Sequence, residues 1–338
     1  MKQSKQMFTN KDIRCFVLTC NRPSLLQTTL KTLLWQKGGP WDIWVLDNST
    51  NDETKDLFKK KFQQVHYIDN RADREFAANL RLLRKSLATP YTLTLHDDDL
   101  LAPNYLQNAL KVLNTYPDIN GIFAKLKLFH GKRFPFTVKH TSGTRHWLIN
   151  SKEEFALSFW DRPACTWSGS IIKSDLYKNM PVEESYKIFG KTHDWPMLIE
   201  TVGAGNNCIF TDSYVFTRIH GASDTRNDNT AISLEQFKNW INYFKNSAET
   251  NLGLREVYNK YVYDRAHITY KYHLSNKYKQ KCQSIEEFLK QENLLFAPVS
   301  CWRKIRTKWY FKPFNRFVRI FCNIGYYKQF LRDLPNKF

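Results

Sequence analysis

The chain of 338 residues carries 51 Lys and Arg against 32 Asp and Glu, a formal charge of +19, with 42% apolar and 15% aromatic residues. That is enough apolar material for one large or two modest domains, and it excludes a chain disordered over long spans. No run of about 18 apolar residues reads as a membrane-spanning helix, and residues 1–12 lack the apolar core of a signal peptide, so the expected location is the cytoplasm.

In chain order, residues 13–17 (Ile-Arg-Cys-Phe-Val) predict a buried strand, followed by the polar turn Thr19-Cys20-Asn21-Arg22-Pro23-Ser24. Leu25, Leu26, Thr29, Leu30, Leu33 and Leu34 then recur at helical spacing, with Pro23 at the helix start, where its fixed φ is harmless. Residues 42–46 predict a second strand, 47–52 a loop rich in N-caps, and a helix passes through Leu57 and Phe62. Residues 65–68 predict a third strand, about 74–87 a helix burying Phe76, Leu80, Leu83 and Leu87, and 91–95 a fourth strand running into His96-Asp97-Asp98-Asp99. This alternation predicts an α/β fold with a mostly parallel sheet flanked by helices. Beyond it, 119–139 reads as strands around the turn 130–132, Ser151 to Glu154 as a capping box, 208–217 as a strand, and 233 to about 281 as mainly helical with a break near 250–253. A second capping box opens at Ser284. The seven cysteines are scattered without a C-x-x-C pair, against a zinc or disulfide framework.

Chemistry concentrates at His96-Asp97-Asp98-Asp99. Adjacent carboxylates repel, and a divalent cation relieves that repulsion. If the segment is extended, residues two apart share a side, so Asp97 and Asp99 converge on one ion. The bland reading is an acidic turn capping the helix near Pro103 and Asn104. The turn at 19–24, the loop at 47–52 and the triple Asp all follow strands, so they gather on the edge where open α/β sheets bind ligands. Asp47 there accepts hydrogen bonds from a base or ribose, or is an ordinary N-cap. The Gly-rich fingerprints of dinucleotide and P-loop folds are missing.

Thr-Cys-Asn-Arg-Pro, Leu-Asp-Asn-Ser-Thr-Asn-Asp, Ala77-Ala78-Asn79 and Leu-His-Asp-Asp-Asp-Leu-Leu-Ala-Pro follow one another in an order that resembles the family 2 glycosyltransferases with the GT-A fold. The chain departs from the family pattern at Asn48, where the acidic loop also loses its Gly, and at Ala78, where Arg is common, leaving Arg74 or Arg81 to replace that contact. The resemblance spans about 11–225. It implies nucleotide-sugar binding by Thr19, Asn21, Arg22, Asp47, Asn79, Asp97 and Asp98, and a Mn²⁺ or Mg²⁺ ion held by Asp97, Asp99 and His220. Lys191-Thr192-His193-Asp194-Trp195-Pro196 resembles the motif supplying the base of inverting members, which implies Asp194 as base; a helix N-cap is the alternative. Thr217-Arg218-Ile219-His220 resembles the segment that brings a His to the metal or diphosphate. Trp167, Ser168, Gly169, His193 and Trp195 are implied at the acceptor, although Trp167 also suits a core.

The expected domains are a catalytic domain over 1–232, with a nucleotide-sugar half at about 11–118 and an acceptor half at 119–232, and a helical extension over 233–338. From Val299 onward, ten Lys and Arg face a lone acid, Asp333. Phe314, Phe317, Val318 and Phe321 share one helical face, so this tail is expected to lie on an anionic membrane. Resemblance to bacterial polysaccharide and lipopolysaccharide transferases implies a glycan or lipid-linked acceptor. Two rivals are a sugar nucleotidyltransferase, which normally opens on a Gly-rich loop, and a nucleic-acid-binding protein, for which no recognition motif is found.

Overall fold

The computed structural model describes residues 7–73, 77–131, 145–160, 167–190, 193–220 and 234–249, with 287, 288, 290 and 291. Two compact units are present, Met1–Val262 and Tyr263–Phe338, and every element below belongs to the first. The basic tail from Val299, the break near 250–253, Ser284, Arg74, Phe76 and residues 221–223 lie outside the described residues. No helix among the described residues is long and apolar enough to cross a membrane.

The strands are β1 (Ile13–Thr19), β2 (Asp42–Asp47), β3 (His66–Asp69), β4 (Tyr91–His96), β5 (Leu100–Leu101), β6 (Gly121–His130), β7 (His146–Ile149), β8 (Ser170–Lys173) and β9 (Asn207–Ile219). They form one sheet in the order β3-β2-β1-β4-β8-β6-β9-β5, with β7 also on β9. The side built from β3, β2, β1 and β4 is parallel throughout. β8 joins β4 and β6 antiparallel, while β6 and β9 run parallel. This mixed α/β sheet flanked by helices is the expected class.

β1 is buried almost continuously, as a central parallel strand covered on both faces must be. On one face, α1 (Pro23–Leu34) presents Leu26, Leu30 and Leu33 to the core formed by Cys15, Val17, Val45, Leu93 and Leu95. Each such leucine stabilises the fold by about 1.5–3 kcal/mol. Pro23 is the first residue of this helix. Ser151 accepts the Glu154 amide at 3.1 Å at the start of α5 (Lys152–Trp160), half of the expected capping box.

Three strands escape a reading of the sequence, β5, β7 and β8. They are two to four residues long, too short for an alternation to show. β8 matters to the site, because its pairing with Thr94 lays Trp167-Ser168-Gly169 beside the end of β4. β5 matters equally. Leu100 and Leu101 pair with Phe216 and Val215 of β9, which fastens the turn after β4 to the segment ending at His220.

Candidate active site

Three parallel strands end level with one another. Thr19 is in register with Asp47, and Leu18 with His96, so the loops after β1, β2 and β4 open on one edge. The segment 97–99 is a turn and not the extended stretch assumed from its sequence. The Asp99 amide donates back to the His96 carbonyl at 3.3 Å. Thr29 of α1 donates to the carbonyls of Asp97 and Asp99, at 2.8 and 2.9 Å, and fixes the turn from below.

The turn sends the three carboxylates to different partners. Asp97 accepts Thr19 Oγ1 at 2.8 Å, the Cys20 amide at 3.3 Å and Arg22 Nη1 at 3.2 Å. Arg22 also donates to Asp98 at 3.2 Å, and His220 Nε2 stands 2.9 Å from the same Asp98 oxygen. Asp99 accepts the Arg218 amide at 3.3 Å. The Arg218 side chain donates through Nε to the Asp98 carbonyl at 3.1 Å. The His96 amide donates to Ser168 Oγ at 3.0 Å.

All three carboxylates are buried, which favours their neutral form. Burial raises Asp97 to about 6, opposed by Arg22, reinforced by Asp98 and opposed again by Thr19 and Cys20. Burial likewise raises Asp99 to about 6, with Asp98 adding to the rise and His96, Ser168 and the Arg218 amide opposing it. Burial works against Asp98 as well, but His96, His220 and Arg22 outweigh it and hold that carboxyl below its ordinary value.

Ligand atoms of His96, Asp98 and Asp99 lie within 4.8 Å of one another. Carboxylate oxygens with imidazole nitrogen suit a divalent ion such as Mn²⁺, and a cation there would favour the ionised form of Asp99 that burial disfavours. His96 lies in the acidic motif but is not among the ligands expected from the sequence. Its adjacency to three acids was the available signal.

On the β2 side, the polar residues hold one another. Asp47 is wholly buried and accepts the Ser49 amide at 2.9 Å and the Tyr67 hydroxyl at 2.7 Å. Asn79, from α3 (Ala78–Lys85), donates to the Leu46 carbonyl at 3.1 Å and accepts from Asn70 at 3.1 Å. Asn21, at φ 56°, accepts the Thr50 amide at 2.7 Å and donates its own amide to Ser49 at 2.7 Å, tying the loop after β1 to the loop after β2. Arg71 bonds Asp69 through two nitrogens at 2.7 Å and reaches Asp52. From the sequence, Tyr67 is placed only in a strand and Arg71 is not singled out. Arg81 pairs with Asp73 at 2.6 Å and approaches Glu183 at 3.9 Å.

On the side expected from the sequence to meet the acceptor, Trp167 is buried and donates to the Tyr177 hydroxyl at 3.0 Å. Its ring meets His193 edge-on at 6.2 Å. Gly169 sits at φ +84°, where an added Cβ would strike Val215 of β9, so both backbone and packing require glycine. His193 bonds the Gly190 carbonyl through Nδ1 at 3.0 Å, and burial lowers its pKa to about 4. Asp194 is the first residue of α8 (Asp194–Thr201), half-buried, with His193 in the N-cap position. Trp195 packs at 6.2 Å against Trp240 of α9 (Leu234–Glu249).

Residues 15–180 match the family described as "Glycosyl transferase family 2". The fold is similar to that of the mannosyltransferase PcManGT from Pyrobaculum calidifontis, solved with GDP-Man and Mn²⁺, at a TM-score of 0.50 and 13% identity over 90% of this chain and 88% of that one. S. aureus TarS 1–349, also solved with UDP-GlcNAc, aligns at a TM-score of 0.47 and 13% identity over 83% of this chain and 92% of that one. No curated protein sequence matches the chain.

Proposed function

With residues 15–180 a glycosyl transferase family 2 domain, and the chain therefore a glycosyltransferase, we propose that it is an inverting enzyme dependent on a divalent metal. It moves a sugar from a nucleoside-diphosphate sugar, a UDP-sugar in the first instance, to a hydroxyl of a glycan or lipid-linked acceptor in cell-surface polysaccharide synthesis. The observation that carries this reading is the convergence of His96, Asp98 and Asp99 at the carboxyl end of β4.

These three residues, with His220 against Asp98, would hold Mn²⁺ or Mg²⁺. Asp98 thereby takes the place in the metal set first given to Asp97. When bound, the ion neutralises charge that builds on the departing diphosphate. Arg22 adds a fixed positive charge beside it. Asp97 locks the loop after β1 through Thr19 and Cys20, and Asp47 and Asn79 shape the nucleoside pocket by holding Tyr67, Ser49 and the end of β2. Asp194, half-buried at the start of α8, takes the proton of the acceptor hydroxyl as that oxygen attacks the anomeric carbon from the face opposite the departing nucleoside diphosphate, and this single displacement inverts the anomeric centre. Ser168, Gly169 and the His193–Trp195 segment form the acceptor wall. The catalytic domain would end near 232, and the basic tail from Val299 would hold the enzyme on the inner face of the cell membrane.

The test is a screen of nucleotide sugars for release of nucleoside diphosphate, with Mn²⁺, with Mg²⁺ and with EDTA. Release with one donor class, lost on chelation and restored by added metal, is the expected result. Full turnover in EDTA would remove the metal from the mechanism.

A further inference from the structure

We infer that Arg218 is a positioning residue for the metal site, acting by direction of its hydrogen bonds and not by charge. The inference rests on the metal reading above. Arg218 is only 4% exposed, so it does not greet substrate from solvent. Its Nε donates to the Asp98 carbonyl at 3.1 Å, and its Nη1 donates to the Gly131 carbonyl. Its backbone amide donates to the Asp99 carboxylate at 3.3 Å. Its guanidinium lies 4.6 Å over the Phe129 ring. One residue thus fixes the main chain of one candidate ligand, the side chain of the next, and the exit of β6 beside them.

The choice of residue sharpens the point. Among the described residues, Arg218 Nη2 is buried without a hydrogen-bond partner. A buried donor left unmade is unfavourable, so Arg is poorly matched if the site needs only a plug or a counter-charge. A planar fork with a ring beneath it is what two carbonyls in fixed directions require, and Lys cannot supply it. The charge by itself works against function. A fixed cation beside Asp98 and Asp99 repels a metal ion, so removing it should tighten metal binding on electrostatic grounds alone. Positioning predicts the opposite sign.

The experiment measures Mn²⁺ dissociation constants by electron paramagnetic resonance for the full chain and for Arg218→Lys and Arg218→Met. Metal-free binding of UDP and the thermal midpoint are followed in parallel. Both variants should bind Mn²⁺ at least tenfold more weakly, with metal-free UDP affinity within about twofold of wild type. Arg218→Lys keeping wild-type affinity, or Arg218→Met binding Mn²⁺ more tightly, would show that charge is what matters and overturn the assignment. Should the Arg218 variants fail to fold, Phe129→Leu removes the ring while keeping the arginine. It should weaken Mn²⁺ binding about threefold, and unchanged affinity there would count equally against the proposal. If the wild-type chain binds no Mn²⁺, the metal reading fails and this inference fails with it. Wild-type binding with insensitive variants overturns Arg218 alone.

Discussion

Around the end of β2, polar side chains find partners close by in the chain. Asp47 bonds residues 2 and 20 positions away, Asn21 reaches 29, and Asn79 reaches 33. Around Asp98 and Asp99, the partners Arg218 and His220 come from 119 to 122 positions away, and Ser168 bonds the neighbouring His96 from 72. The proposed nucleotide half is therefore assembled by adjacent βα loops, while the candidate metal edge exists only once β8 and β9 have docked beside β4. Damage to the second half should disarm the metal edge and leave nucleotide recognition standing.

The largest effect on that contrast is expected at Asp194, which lies in the far half and is the proposed base. Asp194→Asn should lower turnover by about 10²–10⁴-fold, the range for a positioned base. Calorimetric affinity for the nucleoside diphosphate should not change. A matching loss of affinity would mean that the two halves are not separable in the way proposed.

Gly169→Ala attacks the docking itself. The residue holds a left-handed φ, lies against Val215, donates to the Thr94 carbonyl at 2.6 Å and accepts the Tyr105 hydroxyl at 2.6 Å. Backbone strain and overpacking together should cost about 2–4 kcal/mol in urea unfolding. Mn²⁺ binding should weaken in the surviving folded protein while metal-free UDP binding persists. Equal weakening of both would erase the distinction between the halves.

The same contrast explains what the sequence could disclose. Strands β1 to β4 and helix α1 follow from local apolar spacing, and the loops that succeed them carry their motifs in plain view. The parallel register then forces Thr19, Asp47 and His96 to one edge. The direction of each carboxylate was not legible, because it depends on a turn at 97–99 that Thr29 and β5 impose from elsewhere. Arg218 was visible only as a neighbour of His220. Its burial under the Asp turn is a consequence of strand order, which no local pattern encodes. Trp167 shows the reverse. A ring proposed for the acceptor is buried against Tyr177 and His193, and its indole donor is already used inside the fold.

The smallest effect is one of pH, and it separates the halves by sign. His193 is 7% exposed, packs against Trp167 and Tyr186, and donates Nδ1–H to Gly190; burial, which outweighs that hydrogen bond, keeps the ring neutral. Burial depresses its folded pKa to about 4, from an unfolded value of 6.5. Between those values the unfolded chain binds a proton that the folded chain does not, so stability rises with pH across the window and is lost as pH falls. From pH 7 to pH 5 the loss from this group is about 2 kcal/mol. Asp97 and Asp99, raised to about 6, contribute with the opposite sign, because the folded chain takes up their protons first. Mild acid should therefore loosen the packing around His193 while relieving the acidic edge of its buried charge. His193→Gln isolates the first contribution. In urea titrations at pH 7 and pH 5, the wild-type chain should lose about 2 kcal/mol more than the variant. The variant's thermal midpoint should correspondingly fall less on acidification. Parallel losses in the two proteins would mean that His193 is not held neutral by burial.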